Sequence, residues 1–182
     1  AREALRLQAT RDALTDMLNR RAILDHLGNA LDAAARERRP LGLLMVDLDH
    51  FKSINDTYGH PVGDDVLVEA SERMKQHVRR YDGIGRFGGE EFLVVLPGCD
   101  EQATMATAER LRESLTIETV ASRGLQIPVT CSVGAAVHTP ENGCDADTLI
   151  HDADRALYVS KERGRNRVTA SWQLALVERI AS

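Results

Sequence analysis

The chain is 182 residues long and 43% hydrophobic, which suits one domain with a sizeable core and short extensions. Lys and Arg total 23 against 28 Asp and Glu, and a formal net charge of -5 excludes a general nucleic-acid binder while leaving room for a phosphorylated small molecule. Apolar runs such as Leu43 to Val46 are too short to cross a bilayer, no signal peptide is visible, and Cys99, Cys131 and Cys144 lack zinc-type spacing, so inert thiols in a reducing cytosol are expected.

Residues 1–11 are charged and helix-prone, and the chain opens without Met. The expectation is the end of a connecting helix from a missing upstream region, then one domain over 12–170 and a weakly specified helical tail over 171–182. Ile23, Leu27, Ala30, Leu31 and Ala34 share one helical face. Leu41 to Leu48 reads as a buried strand. A short helix around Phe51 to Asn55 follows, and Val62, Val66, Leu67, Ala70, Met74 and Val78 mark an amphipathic helix. Phe92 to Leu96 is a second buried strand, stopped by Pro97-Gly98. Ala108, Leu111 and Leu115 mark a helix, and Val129, Cys131, Val133, Ala135 and Val137 alternate as a strand. Leu149, Ile150, Ala153, Ala156, Leu157 and Ser160 mark a last strong helix before a short strand at Arg167 to Thr169. The order predicts an α/β sandwich with a mixed sheet.

The stretch Gly83 to Gly88 matches G-x-G-x-x-G, but a dinucleotide-binding loop must follow a strand and open a helix. Here Glu90 to Leu96 reads as a strand. The remaining reading is a β-hairpin in which residues 82–87 pair with residues 92–96 and Gly88-Gly89 supply the φ > 0 positions of the turn. Glu90 and Glu91 then sit just past the tip. On their own they are equally well read as a solvated turn.

A second acidic pair sharpens the reading. Asp47 and Asp49 end the buried strand and point to one face of it. If that strand lies beside the hairpin, Asp47 and Glu90 converge. Converging hard oxygen donors suit Mg²⁺, which keeps some waters and shares its shell with substrate phosphates. The competing reading of Asp47 and Asp49 is capping of the short helix that follows.

These motifs resemble the GGDEF family of diguanylate cyclases, in its GGEEF spelling at Gly88 to Phe92. Asp12 to Arg21 resembles the family's opening D-x-L-T-x-L-x-N-R-R, and Asp47 to His60 its D-x-D-x-F-K-x-x-N-D-x-x-G-H block. Val62-Gly63-Asp64 follows in place. Residues 153–166 resemble the closing A-D-x-A-L-Y-x-A-K-x-x-G-R-N, with Ser160 where the family usually has Ala.

The resemblance implies a palm-like nucleotidyl cyclase fold, with a central mixed sheet flanked by helices and the signature turn on a hairpin. It implies an enzyme that condenses two GTP into cyclic di-GMP with release of two pyrophosphates. Asp47, the backbone carbonyl of Leu48 and Glu90 would hold two Mg²⁺ per site, with Mn²⁺ as the alternative ion. Glu91 would assist deprotonation of the attacking 3′-hydroxyl, or bind metal, with Glu90 also catalytic. Asn55 and Asp64 would read guanine, and a buried acceptor at Asp64 would reject adenine. Phe51 and Lys52 would contact phosphates. Lys161 and Arg165, four apart and so expected on one helix face, would hold the triphosphate tail.

One site holds one GTP, so the resemblance also implies a two-fold homodimer. Arg79 and Asp82 fit the family's R-x-x-D inhibitory site for the product, cyclic di-GMP. A sensory or regulatory region upstream, a cytoplasmic location, a parent protein with or without a membrane anchor, and no nucleic-acid partner complete the expectation. The alternative is a catalytically silent module that senses GTP or cyclic di-GMP. Retention of Asp47, Glu90 and Glu91 speaks for the enzyme. His26, His77, His138 and His151 make no metal-spaced pair and read as surface or packing residues.

Overall fold

The computed structural model describes residues 9–181. Most of the expected connecting helix at 1–11 lies outside the described residues; residues 9 and 10 are helical, and Arg11 forms an isolated bridge with Leu18. Helix α1 spans Arg20–Glu37, strand β1 Leu41–Leu48, α2 Phe51–Tyr58 and α3 His60–Lys75. Strands β2 (Gly83–Arg86) and β3 (Glu91–Pro97) form the hairpin, followed by α4 (Glu101–Thr116). A small hairpin of β4 (Val120–Ser122) and β5 (Leu125–Ile127) precedes β6 (Cys131–His138), α5 (Ala146–Glu162), β7 (Val168–Ala170) and α6 (Ser171–Ala181).

The main sheet runs β2-β3-β1-β6-β7. β1 is antiparallel to both β3 and β6, while β6 and β7 are parallel, so the sheet is mixed as the pattern predicts. β1 lies at its centre with both faces covered, which is why its sequence is continuously apolar rather than alternating. On one face Leu44, Val46 and Leu48 pack with Phe92, Val94 and Val133 against α2, α3 and α4. On the other, Leu43, Met45, Leu93 and Val95 pack against α1 and α5 through Ile23, Leu27, Ala153 and Leu157.

Local chemistry sets the helix limits. The side chains of Asn19, Asp100 and Asp145 accept the amides of Ala22, Ala103 and Thr148, which are N-caps of α1, α4 and α5. Gly59, at φ 90, separates α2 from α3, so the block read as a short helix and a longer one is two helices hinged at a residue where only glycine is comfortable. The β4–β5 hairpin has no counterpart in the periodicity reading. Its turn is Arg123-Gly124, both at positive φ, and few apolar residues flank it. It is tied to α3 by Ser122 Oγ donating to Asp65 at 2.6 Å.

Ser160, the departure from the family pattern, is fully buried. Its hydroxyl bonds the Val133 carbonyl at 2.8 Å and the Thr169 hydroxyl at 2.7 Å, fastening α5 to β6 and β7. No helix among the described residues is long and apolar enough to cross a membrane.

Gly134 on β6 sits directly under α5. A Cβ there would run into the carbonyl of Ala153 and the amide of Leu157, backbone that cannot swing aside. Gly134→Ala is therefore expected to destabilise the domain by about 3 kcal/mol. The urea midpoint would fall at unchanged slope; an unchanged midpoint would show that α5 slides freely over the sheet.

Candidate active site

Alternation along β1 carries Leu43, Met45 and then Asp47 onto the face covered by α1 and α5. Asp47 is 7% exposed and stands opposite Glu91 on β3 and Ser132 on β6. Lys161, one helical turn beyond Leu157 on α5, reaches over the sheet end and places Nζ 2.9 Å from Asp47 Oδ2. Burial pushes the Asp47 carboxyl above the usual carboxylate range against the pull of Lys161. Burial also raises the Glu91 carboxyl, and the charge of Asp47 adds to the effect. Glu90 is half-buried, and its carbonyl accepts the Leu48 amide at 3.2 Å, which locks the hairpin tip to the end of β1.

Asp47, Leu48 and Glu90 line one open groove of about 240 Å³. Phe51 and Lys52 from α2, and Lys161 and Arg165, line it too. Lys52 is exposed and pairs with Asp56 at 3.2 Å. Asn55 is half-buried on α2, and its side chain occupies the space that a Cβ at Gly63 would need, beside Asp64 on α3. Asp64 is exposed, not buried as the adenine-rejection argument expects.

Three further expectations change. Lys161 and Arg165 do not share a helix face, because α5 ends at Glu162 and Arg165 follows Gly164 in the left-handed region at φ 62. Both reach the groove nonetheless. Neither Asp47 nor Asp49 caps α2. Its N-cap is His50, which makes no side-chain cap bond, and the Asp49 carboxylate is taken by Thr130, Ser132 and the Asn166 amide.

The third change concerns the signature turn. Gly88 and Gly89 are not at positive φ. Their value is space: a Cβ on Gly88 would lie 2.6 Å from Glu91 Oε2, while Gly89 stands in the open. The turn is shaped instead by Arg86. Its Nε and Nη2 bond the Gly89 carbonyl at 3.1 and 2.8 Å, its Nε reaches the Gly88 carbonyl at 3.2 Å, and its Nη1 pairs with Asp12 at 3.2 Å. Arg20 stacks on Phe87 at 3.9 Å and donates to its carbonyl at 2.8 Å. Sequence reasoning found Asp12 and Arg20 only as motif letters and did not single out Arg86. An arginine two residues before a Gly-Gly turn was the available signal, since only its fork can bind several turn carbonyls at once.

Residues 9–167 match the family model described as "Diguanylate cyclase, GGDEF domain". The chain is a GGDEF domain. It is 39% identical over 175 residues to diguanylate cyclase DosC of Escherichia coli K12, covering 96% of this chain and 37% of that protein. It is 41% identical over 149 residues to diguanylate cyclase A of Treponema denticola, covering 82% of this chain and 40% of that protein. The chain thus spans about two fifths of the length of these curated relatives. Among solved structures, the GGDEF domain of Caulobacter crescentus DgcB, in complex with c-di-GMP, superposes with a TM-score of 0.85 at 34% identity, covering 90% of this chain and 93% of that one. The active GGEEF domain of a Vibrio cholerae diguanylate cyclase superposes with a TM-score of 0.77 at 29% identity, over 84% and 96%.

Arg79 and Asp82 of this GGDEF domain lie at the opposite end of β2 from the signature turn, and here they hold each other. Arg79 Nε and Nη2 bond the two Asp82 oxygens at 3.2 and 3.1 Å, and Asp82 also accepts the Arg79 amide at 2.7 Å. Arg79 Nη2 further reaches the Pro97 carbonyl at 3.2 Å and Cys99 Sγ at 3.0 Å, and the guanidinium lies 4.6 Å from the Tyr81 ring centroid. Of the histidines, His26 and His138 are packing residues whose Nε2 atoms are buried without a partner.

The Arg86 clamp generates a pH-dependent prediction. Burial alone would raise the Asp12 carboxyl, but hydrogen bonds from the Thr15 amide and hydroxyl, with the Arg86 charge, outweigh it and hold it below the usual range. A carboxyl depressed by folding stabilises above its unfolded pKa and loses that contribution as pH falls. Asp12→Asn is therefore expected to cost about 2 kcal/mol at neutral pH, with the gap to the parent protein closing below pH of about 4. Urea titrations of both proteins at several pH values measure it, and a gap that persists into acid would assign the effect to packing rather than charge.

Proposed function

We propose that this GGDEF domain is the catalytic unit of a diguanylate cyclase, condensing two GTP into cyclic di-GMP with release of two pyrophosphates. The observation that carries this reading is the convergence of Asp47, Glu90 and Glu91 with Lys161 at one end of the sheet, over the groove that Phe51, Lys52 and Arg165 line. The acidic set that a silent sensing module would not need is intact.

The groove's donors fit a hard cation. Asp47, the Leu48 carbonyl and Glu90 are all oxygen ligands, and the Asp47 carboxylate already takes a cationic partner at 2.9 Å. Among the described residues no three His, Cys, Asp or Glu side chains cluster as a ready-made metal site, so phosphate and water would have to supply the ion's remaining ligands. Bound Mg²⁺, two per site, or Mn²⁺ in its place, would neutralise the triphosphate and ease displacement at the α-phosphorus.

The protein's own groups do the rest. Lys161 and Arg165 hold the triphosphate tail, and in this reading Lys161 leaves Asp47 as the nucleotide arrives. Phe51 and Lys52 offer backbone amides and a charge to the phosphates. Asn55 and Asp64, neighbours across Gly63, accept the guanine N1–H and N2–H₂ donors that adenine cannot supply. The raised Glu91 carboxyl is a stronger base than an ordinary carboxylate and takes the proton of the 3′-hydroxyl.

One groove orders one GTP. Each 3′-hydroxyl attacks the α-phosphorus of the other nucleotide, and each pyrophosphate leaves from the opposite side. The working form is accordingly a two-fold homodimer, with proximity supplying much of the rate. Product binding at Arg79 and Asp82 inhibits, and an upstream region of the parent protein, sensory or regulatory, controls the encounter of two domains on the cytoplasmic side.

Chromatography of products after incubation with GTP and Mg²⁺ tests the reaction, with ATP as control and a fused dimerising coiled coil as a second form. Cyclic di-GMP and pyrophosphate are expected from GTP alone, with no product in EDTA. Glu90→Ala and Glu91→Ala should each lose about a thousandfold in rate with the fold intact; full activity in both would reject the assigned site. Arg79→Ala should keep its initial rate and lose product inhibition. Inhibition that survives in that variant would reject the R-x-x-D assignment.

A further inference from the structure

The loop that delivers Arg165 to the groove is held in an uncommon shape. After α5, Gly164, Arg165 and Asn166 all lie at positive φ, at 112, 62 and 44. Two successive non-glycine residues in the left-handed region persist only where their surroundings over-determine them, and such segments gather at ligand clamps. Four bonds fasten this one. The Arg165 amide donates to the Ser160 carbonyl at 3.0 Å, and the Asn166 amide to Asp49 Oδ2 at 2.9 Å. Arg112 Nη1 donates to the Asn166 side chain at 3.0 Å, and the Arg167 carbonyl accepts the Val133 amide at 2.9 Å where β7 begins.

The anchor of this arrangement is Asp49. It is 5% exposed and engaged by three protein donors: Thr130 Oγ1 to Oδ2 at 2.7 Å, Ser132 Oγ to Oδ1 at 2.7 Å, and the Asn166 amide. Three of the roughly four lone-pair positions of a carboxylate are thereby taken. Two of those donors belong to the β6 strand and its approach, the third to the loop. Asp49 thus ties the rigid sheet to the backbone immediately after Arg165.

We infer that Asp49 is a positioning residue for the substrate's triphosphate, acting through the Asn166 amide to keep the loop in its left-handed turn and Arg165 in the groove beside Lys161 and Asp47. It rests on the proposed phosphate role of Arg165. Asp49 in this scheme holds no metal ion and touches no reacting atom.

The test is equilibrium binding of a non-cyclising analogue, guanosine 5′-(α,β-methylene)triphosphate, alongside steady-state rates with GTP. Asp49→Asn keeps the volume but replaces one acceptor oxygen with a donor facing an amide or a hydroxyl. It should weaken binding about tenfold, as should Arg165→Ala, the scale of one lost charge-assisted contact. The double variant should bind no worse than the weaker single variant, and kcat at saturating GTP should change far less than Kd. If Asp49→Asn does not fold, Thr130→Val carries the test, with a smaller loss that vanishes in the Arg165→Ala background.

Additive losses in the double variant would overturn the inference, and so would a collapse of kcat at unchanged Kd. Weakened binding in Arg165→Ala beside unchanged binding in Asp49→Asn would overturn this inference alone. Unchanged binding in Arg165→Ala would overturn the phosphate role of Arg165 and the inference with it.

Discussion

The ion pair between Asp47 and Lys161 is the contact on which the site's geometry depends. A carboxylate on a strand buried along its whole length is costly unless a partner meets it. Lys161 does so from across the sheet, 114 positions away in the chain. For its Nζ to arrive, α5 must lie close over β6, which requires the bare backbone at Gly134, and must be fixed there, which Ser160 does through β6 and β7. The pairing of β1 with β3 sets Glu91 beside Asp47, and burial raises both carboxyls against the pull of Lys161. A group chosen for its reactivity and a group chosen for its packing are here linked by one helix position.

Much of this was legible in the sequence. The continuous apolar run of β1 announced a strand buried on both faces, and its acidic end announced a site, because unpartnered carboxylates do not end such strands without cause. The hairpin was legible from glycines followed by a β-rich run. What periodicity could not supply was the partner of each charge. Asp47 and Asp49 look alike in the chain, two residues apart on one face, and both line the groove, yet one meets a lysine while the other is held by two hydroxyls and an amide. That difference arises from residues more than 80 positions away and has no local signature.

The turn glycines misled in an instructive way. Gly-Gly at a hairpin tip suggests left-handed backbone, yet neither lies at positive φ, and Gly88 serves by leaving room for the Glu91 carboxylate. Conversely, two left-handed residues that matter, Arg165 and Asn166, are not glycines, and Arg165 has no local reason to adopt that shape. The β4–β5 hairpin escaped notice because its strands are three residues each, too short for any period to register. A pattern reports the average environment of a segment. It is silent on single positions whose conformation is imposed by distant partners.

Arg79 and Asp82 lie away from the groove, locked to each other, with the Asp82 side chain only 2% exposed. A ligand that offers only an anion would draw off the guanidinium and strand a shielded carboxylate. One that offers only paired N–H donors would satisfy the carboxylate and leave the guanidinium to find another counter-charge. Each half-match breaks a bidentate pair and repairs one side of it. Only a molecule carrying an acidic group and a donor edge at matching separation restores both. In the proposed inhibitory role the pair would act as a coincidence detector, its threshold set by the strength of the contact that it must give up.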